Sequence, residues 1–414
     1  MRKKISPIIV SGILFLLAAP VLTAQNSTNS PYTRYGYGDL ANRSFSAGRS
    51  MGGTGIGLRS PYQINPMNPA SYSGMDTLTF LFDFGATAQM SWFSDGTNKQ
   101  NDINGNVDYM AMQFLLFKKI GFSAGLMPFS HVGYQFREVK SSGSQTYYET
   151  FNGVGGLNLL YSGLSIDIWK KRLSVGSNFN YIFGTNTHLA STSYGSSSTT
   201  SVYNTKSFKV SDVSFDFGMQ YIHPLSKTDK IVVGLTYSPK KRLNTNTYSH
   251  IENGSEVVSD TISGLAYDKP AEYGIGFSFV KDDKLTIIAD LSFQEWNKIT
   301  FAGKNNEFKN RTRVSGGFEY IPNLFSRPLL NRMRYRAGVS YTNSYIQING
   351  KRYNEYGATI GAGFPITDGR SFVNVSFEYL KIHSGSKSMI NEDYIRMTLS
   401  YTFNELWFLK FKMN

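Results

Sequence analysis

The chain of 414 residues has no cysteine, so disulfides and thiolate metal sites are excluded. Its five histidines, at 131, 188, 223, 250 and 383, are scattered, and none belongs to a His-Glu-x-x-His pair of zinc ligands. No Gly-x-Ser-x-Gly elbow lies between a strand and a helix pattern. Gly53, Gly55 and Gly57 lack the flanking strand, helix and lysine of a phosphate loop; they suit tight packing and positive φ instead. Charged residues make up 17%, below the quarter or so usual in a soluble domain. After Gln25 there is no apolar run of about eighteen residues, so no spanning helix is expected there. The expectation is a protein that is not an enzyme, with no catalytic residues, no metal and no cofactor. A hydrolase whose Ser, His and acid meet only in space is kept as the most distant alternative.

What the chain has is aromatic residues, 27 Tyr and 30 Phe, together with 39 Gly. It also has an export signal. Met1–Lys4 is basic, Ile5–Leu22 is mostly apolar, and Leu22-Thr23-Ala24 is a cleavage site before Gln25. Residues 1–24 therefore read as a signal peptide; a membrane anchor is the alternative. No Cys follows the site, so a lipoprotein is not expected. The net charge of +13 calls for an anionic partner. In an exported protein that partner is membrane lipid and lipopolysaccharide, met by loop cations such as Lys240-Lys241-Arg242, and not nucleic acid.

From Asp76 the dominant signal is alternation. Val213, Phe215, Phe217, Met219 and Tyr221 alternate with Ser214, Asp216, Gly218 and Gln220, and Leu285 to Phe293 behave alike. Period 2 puts these sets on opposite faces of strands. Long amphipathic strands with aromatics on one face predict an all-β, 14-stranded antiparallel transmembrane β-barrel over residues 76–403. The strands are placed at 77–94, 105–118, 120–137, 146–168, 172–189, 206–222, 230–248, 271–281, 284–300, 310–321, 332–346, 353–366, 371–383 and 391–403. Lys170-Lys171, Lys281-Asp282-Asp283 and Thr367-Asp368-Gly369-Arg370 read as tight periplasmic turns. The polar stretches 190–205 and 249–263 read as extracellular loops. Residues 404–414 read as an aromatic, basic periplasmic tail.

Ahead of the barrel, residues 25–75 have no clean period. Between Ser30 and Tyr72 stand Pro31, Pro61, Pro66 and Pro69 and seven glycines. A segment of this length without regular structure is functional or disordered. Its Tyr32, Tyr37, Phe45, Met51 and Ile56 argue against disorder.

The phrases SPYTRYGYGDL, MGGTGIG and INPMNPASY, with Asn65-Pro66 and Asn68-Pro69-Ala70 just before the first strand, resemble the FadL family of outer-membrane channels for hydrophobic compounds, in its divergent Bacteroidota branch. The resemblance implies that residues 25–75 are a hatch in the lumen and that a kink in the third strand opens a lateral gate. Pro128, near Ser130 and Gly133, is the residue here that suits a kink, since it gives no N–H to a ladder; the alternative is a strand end at the rim. On strands ten and eleven Arg311, Arg313, Arg332, Arg334 and Arg336 should face the lumen, because arginine on the lipid face costs about 2–4 kcal/mol at mid-bilayer. They read either as an ion-pair network with Asp83, Asp216, Asp290, Glu319 and Glu378 or as a site for a ligand carboxylate or phosphate. Two roles stay open: passive uptake of a hydrophobic or amphipathic small molecule, and a non-transporting subunit held with other outer-membrane proteins in a secretion or barrel-assembly complex. An apolar pocket beside Phe45, Met51 or Ile56 would favour uptake; a solid interior would favour the subunit.

Overall fold

A computed structural model describes residues 27–407 apart from 144, 170–171, 195–200, 367–368 and 385–388. The signal peptide, the Lys170-Lys171 turn and residues 408–414 lie outside the described residues. The architecture is a ring of fourteen antiparallel strands. We number them β1 (Thr79–Ser94), β2 (Lys99–Phe117), β3 (Ile120–Ser142), β4 (Gln145–Trp169), β5 (Leu173–Tyr194), β6 (Val202–Pro224), β7 (Lys230–Ser238), β8 (Glu272–Lys281), β9 (Leu285–Gln294), β10 (Arg311–Tyr320), β11 (Arg334–Asn343), β12 (Asn354–Pro365), β13 (Phe372–His383) and β14 (Asn391–Leu406). Each pairs with its neighbours, and β14 closes on β1 from Asn391↔Ser94 to Leu406↔Thr79. Closure removes free sheet edges, as a strand structure in lipid requires.

The alternation sorts as expected. Phe215, Leu235, Ile275, Leu291, Val314, Ile360 and Leu399 are exposed on the outer face. Their inward neighbours Ser214, Gln220, Asp290, Ser315, Thr359 and Ser400 are buried. Asp282 and Asp283 take positive φ in the turn between β8 and β9, the backbone that a tight hairpin needs.

Several boundaries shift. The strand expected over 230–248 ends at Ser238, before Pro239, and a new hairpin, Thr245–Asn253 with Glu256–Ile262, follows. That hairpin extends the sheet beside β6 (Thr245↔Val210), so most of 249–263 is strand and not loop. Likewise β5 runs on to Tyr194, inside the expected loop 190–205. The strand placed at 284–300 stops at Gln294, and a short 3-10 turn holding the buried Trp296 follows. β14 includes Asn404–Leu406, assigned above to the tail, because Leu81, Phe80 and Thr79 supply partners for them. Trp407 stacks on Phe80 at 4.5 Å.

At the end carrying the longer connections, side chains of irregular segments form an aromatic cap. Trp296 stacks on Tyr345 at 3.9 Å, and Tyr37 meets Phe301 edge-on at 5.0 Å. Tyr345 donates to Gly38 O at 2.7 Å. Such pairs add about 0.5–1.5 kcal/mol each beyond their buried area.

Candidate functional site

Residues 27–75 pack against the inward, polar face of the ring. Three barrel carboxylates hold them. Asp83 on β1 accepts from Ser46 Oγ at 2.7 Å, while Ser46 N–H donates to Tyr109 OH at 2.8 Å and Phe45 stacks on that ring at 3.7 Å. Asp167 on β4 pairs with Arg59 at 2.9 Å and accepts from Ser73 Oγ at 3.0 Å. Asp290 on β9 accepts three successive backbone N–H groups, Gly55 at 2.6, Ile56 at 2.8 and Gly57 at 3.3 Å. The glycine-rich turn is thus a cradle for an anion, and a wall carboxylate fills it. Gly57 also lies where a Cβ would stand 2.8 Å from Phe277 N, so only glycine allows that approach to β8. Of the glycines expected to take positive φ, Gly53 does so, at 75°, while Gly55 and Gly57 do not.

The Asn-Pro motifs fasten this arrangement. Asn65 donates to Gly55 O at 2.6 Å and to Leu58 O at 2.9 Å. Asn68 donates to Ile56 O at 2.9 Å and accepts from Ala70 N–H at 3.1 Å, capping the 3-10 turn Pro69–Gly74. Pro66 O accepts from Asn178 of β5 at 3.3 Å, and Ala70 is fully buried.

Pro128 lies within β3 and not at its end, for the strand continues to Ser142. The β3–β4 register slips between Pro128 and Ser130, a bulge at Phe129. On its other side β3 pairs with β2 only as far as Leu126↔Met110. Beyond that point the N-terminal segment takes over. Leu40 and Asp39 pair with Ser130 and His131, Ala41 N–H donates to Phe129 O at 3.1 Å, and Gly133 N–H donates to Thr33 Oγ1 at 3.2 Å. Pro128, Ser130 and Gly133 thus sit together where β2 and β3 part.

The five arginines do not form one wall. Arg332 is in a four-residue helix before β11, not on a strand. Arg334 and Arg336 share Glu319, at 3.1 and 2.7 Å, and Arg334 lies over the Phe372 ring. For these two the ion-pair alternative is the observed one. Arg313 donates to Gly52 O at 2.8 Å and to Thr342 at 3.2 Å. Of the five carboxylates suggested as partners, only Glu319 pairs with these arginines; Asp216 pairs with Arg43 at 3.6 Å and Glu378 with Arg396 at 3.3 Å.

Arg311 and Arg313 instead line an internal cavity of about 170 Å³. Arg43, Arg49, Lys269 and Arg396 share it with Asp39, Asp108, Glu272, Glu355 and Glu378. Arg49 bonds Asp108 at 2.9 Å, and Arg396 reaches Glu378 and, at 3.7 Å, Asp39. Ile56 borders this space, but Phe45 and Met51 are packed solid. Sequence reasoning missed Arg49, Arg59 and Arg396, whose only signal is their inward parity or their place in the segment.

Comparison with solved structures gives the fold a family likeness. The CymD monoaromatic hydrocarbon channel superposes with a TM-score of 0.60 at 13% identity, over 88% of this chain and 98% of that one. The Pseudomonas putida toluene transporter TodX gives 0.56 at 16%, over 89% and 100%. A Pseudomonas aeruginosa FadL homologue gives 0.56 at 13%, over 89% and 99%. At such identities the likeness is one of fold. No curated protein sequence matches the chain. The family model BamG matches residues 1–414.

Proposed function

Since the chain belongs to the BamG family, we propose that it is a non-transporting accessory subunit of a multi-protein outer-membrane complex of the barrel-assembly kind, carried on a FadL-type barrel. One observation carries this reading: the N-terminal segment packs against the inward face of the ring, and the space left beside it is ringed by eleven charged side chains interleaved with apolar ones such as Leu40, Ile56, Phe129 and Trp296, not by a continuous apolar surface. Segment 25–75 acts as a fixed hatch anchored by Asp83, Asp167 and Asp290. The exposed apolar belt and outer-face aromatics meet lipid and partner barrels, and export precedes insertion into the outer membrane.

Purification of the tagged full-length protein in a mild detergent tests the proposal. Stoichiometric recovery with other outer-membrane proteins is expected. Recovery of the barrel alone, with bound lipid, sinks it.

The second reading, passive uptake of a hydrophobic solute, has one observation in its favour: the parting of β2 and β3 at Pro128, where a lateral gate would lie. It requires that a hydrophobic probe accumulate faster in cells carrying the protein than in cells lacking it, and that closing the gap abolish the difference.

A further inference from the structure

Nearly every charged side chain around the cavity is matched within the chain: Arg43 and Lys269 with Asp216, Arg49 with Asp108, Arg396 with Glu378, and Arg313 with Gly52 O. Two groups differ. Arg311 and Glu355 both line the cavity, and among the described residues neither side chain has a hydrogen bond or an ion pair within 4.0 Å. They stand on β10 and β12, with β11 between them. Arg313, two residues on from Arg311, is opposite Thr342, which is opposite Glu355. Two strand spacings separate them across the sheet, about 10 Å. The long side chains lean into the same space from either side without meeting.

A guanidinium and a carboxylate that face one partly open space, and feel each other's charge across it without touching, pose complementary demands. A cation or an anion alone would satisfy one and leave the other. A half-buried charge with no direct contact gains from a partner, and a bidentate carboxylate is the best partner for a guanidinium. The size is that of a small molecule: roughly 150 Å³ accommodates benzene, and liquid water takes about 30 Å³ per molecule. An apolar guest of that size would have to strip water from eleven charged groups. A guest carrying one charge of each sign would not.

We propose that this cavity is a binding site for a small zwitterion of the free amino acid class, its carboxylate on Arg311 and its ammonium on Glu355. The site goes beyond the accessory role proposed above and does not depend on it. Ser292 and Gln294 of β9, also in the lining, offer polar side chains for the body of the guest. Gln294 is directly opposite Arg311 in the β9–β10 ladder, which places it beside the carboxylate end.

The test uses the purified full-length barrel in detergent and titration calorimetry with two probes, glycine and L-leucine. Saturable binding of at least one is expected. The amide of that probe, which lacks the carboxylate, and its N-acetyl form, which lacks the ammonium, should each bind at least tenfold more weakly. Arg311→Gln should abolish the preference for acid over amide, and Arg311→Lys should restore part of it. Glu355→Gln should abolish the preference for the free amine while leaving that for the carboxylate. Because neither side chain makes a direct hydrogen bond or ion pair, these variants should fold and shift the melting temperature by only a few degrees. No saturable binding of either probe, equal binding of acid and amide, or unchanged selectivity in both Gln variants overturns the site.

Discussion

Replacing Asp290 by Ala should release the glycine turn of the N-terminal segment while leaving the barrel closed. In the native protein Oδ2 accepts from Gly55 and Ile56 at 2.6 and 2.8 Å, and Oδ1 accepts from Gly57 at 3.3 Å. Hydrogen bonds to a charged group contribute about 1.5–3 kcal/mol each, and the longest of the three lies outside the favoured range. The two good ones therefore contribute about 3–6 kcal/mol. Two effects offset part of this: Ala no longer carries a buried charge, and water can enter the vacated volume. A net loosening of about 3 kcal/mol remains. At about 1.4 kcal/mol per factor of ten, the open population of the turn rises roughly a hundredfold. Amide hydrogen exchange of residues 55–57, read by mass spectrometry on detergent-solubilised protein, should accelerate by that factor. Asp290→Asn keeps an acceptor and should give a smaller rise, about tenfold. The ladder around position 290 is made by backbone (Asp290↔Ser315 and Asp290↔Gly276), so heat-modifiable migration of the barrel should not change. Acceleration below about threefold in the Ala variant would refute the anchoring role.

Gly234→Ala places a Cβ 2.0 Å from Ile56 O, a backbone atom that has no free rotation. Overpacking of this kind costs about 1–3 kcal/mol, and proteolysis after Arg59 should become faster, whereas Gly105→Ala, with nothing within 4 Å, should be silent. Arg336→Ala leaves Glu319 with Arg334 alone. Breaking a buried ion cluster from one side costs about 3–5 kcal/mol, seen as a lower urea midpoint, and the triple variant Arg334→Met/Arg336→Met/Glu319→Leu, which leaves no charge of the cluster behind, should recover part of it. Deleting residues 30–70 should raise the permeability of the outer membrane to small solutes, and an unchanged leak counts against the hatch. Asp268 gives the cap an acid limit. Burial opposes its ionisation, but Thr300 N–H, Lys240 and Arg242 outweigh burial and hold its carboxyl below the ordinary value. A carboxyl depressed in the folded state contributes stability above the unfolded pKa of about 3.9 and loses it as pH falls through the folded value. Exchange around residues 240–243 and 300 should therefore accelerate below about pH 4, and Asp268→Asn should remove that pH dependence.

The barrel was legible because period 2 is a local signal. Phe215, Phe217 and Met219 announce the lipid face, and Asp290 announces its opposite, without reference to any other part of the chain. Pairing is not local. That Asp290 would meet Gly55 depends on residues separated by 235 positions. Parity likewise puts Arg311, Arg313, Arg334 and Arg336 inside, but it does not say that two would share Glu319 and that Arg311 would face a cavity. The hairpin 245–262 was hard to read for another reason: its apolar residues Tyr248, Ile251, Val257 and Val258 are broken up by Glu252, Glu256 and Asp260, so no regular alternation marks it. The aromatic cap draws Tyr37, Trp296, Phe308 and Tyr345 from irregular connections, which carry no period at all.

Size and charge at the cavity point in different directions. A cavity of about 170 Å³ would admit a monoaromatic hydrocarbon, since roughly 150 Å³ of apolar space holds benzene. Such a guest gains only what its own surface gives, about 25 cal/mol per Å². Against this stands the desolvation of charges that line the route, among them Arg49–Asp108 and Arg396–Glu378. Their penalty is several kcal/mol per ion once water is driven out. The fold alone does not set the chemistry of the lumen; the inward side chains do, and the charges among them raise the cost of passing an apolar solute by this space.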